Sequence, residues 1–104
     1  METPLEPRVE AVLNALFPES ARSNAVIALK TDCGPATIPG LTLHDGCERV
    51  RLAALKLSNG DLDNLHDAIA VAQTDYRDLL MAAGFGSPGL HVLWADAKTK
   101  ALRD

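Results

Sequence analysis

Apolar residues recur along most of this chain with the period of a helix. Val9, Val12, Leu13, Leu16 and Phe17 fall at i, i+3, i+4, i+7 and i+8, which predicts one face of a helix over residues 8–17. Thr3 and Glu6 have the spacing of a capping box, Pro4 suits a first helical position, and Pro7 is tolerable in a first turn whose amides have no partner. Pro18 stops this helix. The run Ala25-Val26-Ile27-Ala28-Leu29 fits a buried helix or a buried strand equally well by period. Ser20 as a cap and Cys33-Gly34 as a stop tilt the reading to a helix over residues 21–30.

Residues 32–46 carry Gly34, Pro35, Pro39, Gly40 and Gly46 and read as a loop. A small hairpin pairing Thr37-Ile38 with Leu41-Thr42-Leu43 fits inside it. Asp45 and Glu48 repeat the capping-box spacing and open a helix over residues 46–57. Val50, Ala53, Ala54 and Leu57 line one of its faces, while Leu52 and Leu55 lie on another. A helix apolar on more than one side is expected at the centre of a fold. Ser58-Asn59-Gly60 ends it, and Asp61 caps a helix that carries Leu62, Leu65, Ile69 and Ala72. Thr74-Asp75 opens a further helix, with Tyr76, Leu79, Leu80 and Ala83 in phase. Gly84 followed by Phe85 has the form of a Schellman stop. Ser87-Pro88 starts a last helix whose periodic face is Leu90, Leu93, Trp94, Ala97 and Ala101, although His91-Val92-Leu93-Trp94 also fits a strand. Helix versus strand therefore stays open for residues 24–30 and 90–95. The fold class predicted is all-α: a single domain over residues 1–104, built as an orthogonal bundle of about five helices.

Composition narrows the function more than it names it. At 104 residues and 47% hydrophobic content, the chain can build a core without a metal or disulfide. Aromatics are only 4%, so aliphatic residues and Ala must fill that core. Fourteen acidic residues outweigh ten dispersed basic ones, net charge −4, which argues against a nucleic-acid or anionic-membrane partner. No stretch approaches the ~20 apolar residues of a membrane span. Residues 1–10 lack the apolar run of a signal peptide, so a cytoplasmic location with reduced thiols is expected.

The segment Val50-Arg51-Leu52-Ala53-Ala54-Leu55-Lys56-Leu57-Ser58-Asn59-Gly60-Asp61-Leu62, continuing to Thr74-Asp75-Tyr76-Arg77-Asp78-Leu79-Leu80-Met81-Ala82-Ala83, resembles a family of short uncharacterised bacterial proteins over residues 47–85. The resemblance implies a helical fold and a bacterial origin, and it brings no activity with it.

Three groups of residues have the types that chemistry needs. Cys33, His44 and Cys47, with Asp45, flank the Gly/Pro loop, and thiolate and imidazole are zinc ligands. Against a metal site stand the isolation of Cys33 and the lack of a C-x-x-C pair, and free cysteines commonly pack as small apolar groups. Cys47 in the first turn of a helix would be biased toward thiolate by the helix dipole, with Asp45 and Glu48 opposing. The second group is acidic: residues 61–78 hold five aspartates against Arg77, net −4. Asp63 and Asp67, at i and i+4, share a helix face suited to a hard cation or a shared proton. The Gly and closing Glu of an EF-hand are absent, and a solvated face is the simpler reading. The third group is Tyr76-Arg77-Asp78, a binding trio or a rim of surface charge. The helices around Ser58-Asn59-Gly60 mimic a helix-turn-helix, but the second would meet phosphates with carboxylates.

No P-loop, dinucleotide fingerprint, nucleophile elbow or H-E-x-x-H is present, and the sequence calls for no cofactor. The expected function is a small non-enzymatic protein–protein interaction or regulatory module, with spare apolar surface covered in a homodimer or by another protein. The alternative is a thiol- or metal-dependent protein using Cys33, His44 and Cys47. An enzyme acting through residues 61–78 would require a buried, paired aspartate there.

Overall fold

In the computed structural model, which describes residues 4–41, 46–87 and 89–103 and side chains as far as residue 100, the chain forms five helices. They are α1 (Pro7–Leu16), α2 (Glu19–Asp32), α3 (Cys47–Ser58), α4 (Leu62–Ala83) and α5 (Leu90–Arg103). No described residue lies in a strand, so the fold is an all-α bundle. One apolar cluster takes buried side chains from every helix. Its thickest seam is α3 against α4; α1 touches α2, α3 and α5, and α2 closes on α4.

The expected face of α1 is the observed one: Val9, Val12, Leu13 and Phe17 are buried. Its start differs. Pro7, not Pro4, is the first helical residue, and Glu6 stands at the cap without capping, because its carboxylate accepts from Arg51 instead. Thr3 lies outside the described residues. At the other end, Arg22 covers open carbonyls, with Nε to Phe17 O at 3.1 Å and Nη2 to Asn14 O at 3.0 Å.

The apolar run of residues 25–29 is helical. α2 begins earlier than expected, at Glu19 with Pro18 in the cap position, so Ser20 lies inside the helix. Ala25, Ala28 and Leu29 face the core while Ile27 points outward. After α2 the chain turns tightly: Ile38 N donates to Gly34 O at 2.9 Å, and Thr37 Oγ1 donates to Asp32 O at 2.7 Å. Thr37 and Ile38 are thus spent in a turn, not in the first arm of a hairpin, and Thr42 and Leu43 lie outside the described residues. The turn drives Ile38 and Leu41 into the core.

α3 is the buried centre. Cys47, Val50, Arg51, Leu52, Ala53, Ala54, Leu55 and Ser58 are all hidden from solvent. Leu57, placed by period on a core face, is 38% exposed. The Asp45 cap falls outside the described residues. Gly60 is required where α3 gives way to α4. Its φ is +83°, and a Cβ there would lie 2.5 Å from Leu16 O at the end of α1. Asp61 then caps α4, accepting from Asn64 N at 3.0 Å.

α4 is two rods joined at Asp75, whose backbone (φ −159°, ψ 105°) breaks the helix. Asp75 Oδ1 accepts from Arg77 N at 3.0 Å, which caps the second rod as the Thr74-Asp75 signal predicts. Gly84 (φ +80°) and the bond from Phe85 N to Leu80 O at 2.8 Å complete the expected Schellman stop. Residues 90–95 are helical, but α5 is rotated from its expected orientation. Its inner side is His91, Trp94, Ala95 and Thr99, while Leu90 and Leu93 are exposed, Leu93 by 68%. Trp94 and His91 win the inward positions because both pack against Phe85, at ring separations of 5.8 and 6.3 Å. Pro88, its expected start, is outside the described residues.

Candidate functional site

The two candidate cysteines meet at a residue that sequence reasoning missed. Arg51 projects from the middle of α3 into the core and is 0% exposed. Its Nε donates to Cys33 O at 2.8 Å, capping the end of α2; its Nη1 donates to Pro4 O at 2.8 Å and to Glu6 Oε1 at 3.0 Å. One guanidinium thus ties the start of α1 and the end of α2 to α3. The sequence did hold a signal: a lone cation, Val50-Arg51-Leu52-Ala53-Ala54-Leu55, in a helix apolar on several faces. A buried guanidinium demands partners, because an unpaired buried charge costs far more than the hydrogen bonds return.

Cys33 and Cys47 are both fully buried free thiols beside Arg51. Burial pushes Cys33 up to about 12, with Arg51 pulling the other way and Cys47, Glu6 and Asp32 adding to the rise. Burial pushes Cys47 up to about 11 against the pull of Arg51, helped by the charge of Glu6 and a hydrogen bond to its carboxylate. The helix start does not make Cys47 a thiolate, because desolvation and two carboxylates outweigh the dipole. His44 lies outside the described residues. Among the described residues, no three His, Cys, Asp or Glu side chains stand close enough to hold a metal.

The acidic segment is a solvated surface. Asp61, Asp63, Asp67 and Asp78 are exposed, and the half-buried Asp75 is paired at the surface with Arg77. The buried, paired aspartate that an enzyme site here would need is not among them. Asp67 instead forms part of the rim of a shallow groove of about 240 Å³ between α3 and α4, lined by Leu57, Asn64, Asp67, Ala68 and Val71. Leu57 and Val71 are 38% and 43% exposed on its walls.

Tyr76 and Arg77 separate. The Tyr76 ring packs partly into the core beside Gly40, while Arg77 turns back on Asp75, with Nε to Oδ1 at 3.1 Å and Nη2 to Oδ2 at 3.2 Å. This fork, not the trio Tyr76-Arg77-Asp78, is the ionic unit. It holds the Asp75 carboxyl below its usual range. Together with Pro39, Gly40 and Thr74, these residues line an open depression of about 370 Å³.

A fourth cluster joins three helices. Arg8 of α1 donates through Nη1 to Glu48 Oε1 of α3 at 2.7 Å, and its Nε lies 3.7 Å from Asp96 of α5. His91 of α5 brings Nε2 to 3.9 Å from the same Glu48 oxygen. Its Nδ1 is buried and makes no hydrogen bond among the described residues. Burial holds His91 below the usual imidazole range; Glu48 opposes this, while Arg49 and Arg8 reinforce it.

Compared with known protein families, with curated proteins and with solved structures, the chain matches none. None of the helices, among the described residues, is long and apolar enough to cross a membrane.

Proposed function

We propose that this chain is a non-enzymatic protein–protein interaction module whose partner is a second copy of itself. The carrying observation is that one chain presents two complementary exposed surfaces. The α3–α4 groove has apolar walls, Leu57 and Val71, and an acidic rim at Asp67, within a segment of net charge −4. The outer side of α5 carries Leu90, Leu93, Ala97 and Lys100 at i, i+3, i+7 and i+10, all exposed. That is the spacing by which a helix seats apolar anchors in a groove, with a lysine placed to meet the acidic rim. Groove against groove would set Asp67 opposite another Asp67, so the contact is groove to helix. Made reciprocally, two such contacts close a two-fold dimer.

Sedimentation equilibrium from micromolar to submillimolar concentration tests this. Wild type is expected to dimerise with rising concentration, and more weakly as salt is raised. Val71→Glu and Leu93→Glu are each expected to give monomers with unchanged helical circular dichroism, because neither side chain is buried in the monomer. A wild-type protein monomeric throughout, or a dimer indifferent to both substitutions, refutes the proposal.

The alternative is a thiol- or metal-dependent protein using Cys33, His44 and Cys47. It is favoured by the two cysteines sharing Arg51 as a neighbour, and disfavoured by the burial that keeps both thiols protonated. A native mass spectrum with a zinc adduct lost in Cys47→Ser would establish it; an unmodified mass after zinc addition would remove it.

A further inference from the structure

We propose that the docking of α5 on α1 and α3 is controlled by a proton on His91, so that acidification releases α5 and uncovers the apolar surface around Phe85. The observations are geometric. α5 is held by few buried groups: Ala95 is its one fully buried side chain among the described residues, and His91, Val92, Trp94 and Thr99 are partly covered. His91 sits where this small contact meets the rest of the fold, edge-on to Phe85 at 6.3 Å. The ring atom nearest a carboxylate is Nε2, so the neutral tautomer that fits carries its hydrogen there and leaves Nδ1 bare. Nδ1 is buried with no hydrogen-bond partner among the described residues. A second proton must therefore go onto a nitrogen that has no acceptor in place.

The charges around the ring decide the sign. From α3, Glu48 attracts an imidazolium while Arg49 repels it; from α1, Arg8 repels it. Among the described residues Glu48 is the one group that would reward protonation, and its Oε1 already accepts Arg8 at 2.7 Å, against 3.9 Å to His91. Asp96, on α5 itself, is exposed and lies 3.7 Å from Arg8. A protonated His91 would thus face two arginines and a carboxylate already engaged by one of them, with one desolvated, unmatched N–H. Swinging α5 out returns the imidazolium to water and relieves all three. Trp94 and Ala95 leave Phe85 and the core with it. The released state grows as pH falls below the ordinary imidazole value of ~6.5.

Trp94 is the chain's single tryptophan and sits on α5 against Phe85, so its fluorescence reports the docking directly. The experiment is a titration from pH 8 to pH 4.5 on full-length protein, at concentrations where sedimentation shows monomer, which separates it from self-association. Wild type is expected to shift its indole emission to longer wavelength in one single-proton step below pH 6.5. His91→Gln and His91→Phe are expected to stay flat across that window, and His66→Gln to keep the step. A flat wild-type curve, or a step that survives both His91 substitutions, overturns the proposal. Should both variants fail to fold at pH 7.5, NMR of the wild type decides. The Trp94 indole resonance must move with the midpoint at which the His91 ring nitrogens titrate, and an indole that stays put while His91 titrates overturns it.

Discussion

Arg51 shows how one side chain can hold a small bundle in register. Among the described residues its guanidinium answers two backbone carbonyls and one carboxylate from segments far apart in sequence. Removing it empties a fully buried site and takes the donor from Glu6 and two carbonyls, so Arg51→Ala is expected to lower unfolding free energy by about 3–5 kcal/mol in urea denaturation. Arg51→Met, which keeps the volume but not the fork, should also be destabilised, because Glu6 is still left unpaired. The neighbouring thiols make a second prediction at this scale. Both are fully buried and protonated at neutral pH, so Ellman's reagent at pH 7.5 should react with Cys33 and Cys47 only as fast as the protein opens. A rapid stoichiometric burst on native protein would contradict this picture.

Among the elements, the α3–α4 corner is the tightest. Gly60 approaches Leu16 O, Ser58 Oγ accepts from Gly60 N at 3.2 Å, and Asp61 caps α4. Asp61→Ala should cost about 1 kcal/mol, the ordinary worth of an N-cap, seen as a lower urea midpoint with an unchanged m-value. The break at Asp75 uses the same chemistry in the middle of what would otherwise be one long helix. α5 contrasts with both. It is amphipathic on two sides, and of the side that the apolar period favours, Leu90, Leu93 and Ala97 face solvent while Trp94 turns inward. Its core side is built on a histidine, a tryptophan and two small residues, a stripe that hydrophobicity alone does not rank first.

For the whole molecule, buried titratable groups set the pH range of stability. His91 is depressed when folded, so the unfolded chain binds its proton more readily. Its contribution is complete above about 6.5 and declines as pH falls below that value. Cys33 and Cys47 are raised to about 12 and about 11 when folded from an ordinary 9.0. Their contribution is complete below 9.0 and declines as pH rises above it, because the unfolded chain then loses protons that the folded chain keeps. Thermal melts should therefore plateau between those limits and fall on both sides. His91→Gln should flatten the acid shoulder alone, and a double Cys-to-Ala variant the alkaline one.

Helix positions were legible in the sequence because they rest on local physics. Apolar period, Pro18, Asn59-Gly60, Asp61, Thr74-Asp75 and Gly84 each act within a turn or two of themselves, and they placed α1, α3, α4 and the break in α4. The run at residues 25–29 and the stretch 90–95 resisted because their local patterns fit two states; each is helical here. What tertiary structure alone decided was which side of α5 turns inward, that Leu57 and Val71 stay in solvent, and that Glu6 leaves its cap to meet Arg51. It also decided that Cys33 and Cys47 share that guanidinium, and that Arg8, Glu48, His91 and Asp96 converge from three helices. Each of these follows from how residues distant in the chain pack together. Its energy comes from desolvation and charge pairing that exist only once the helices have packed, so no local pattern encodes it.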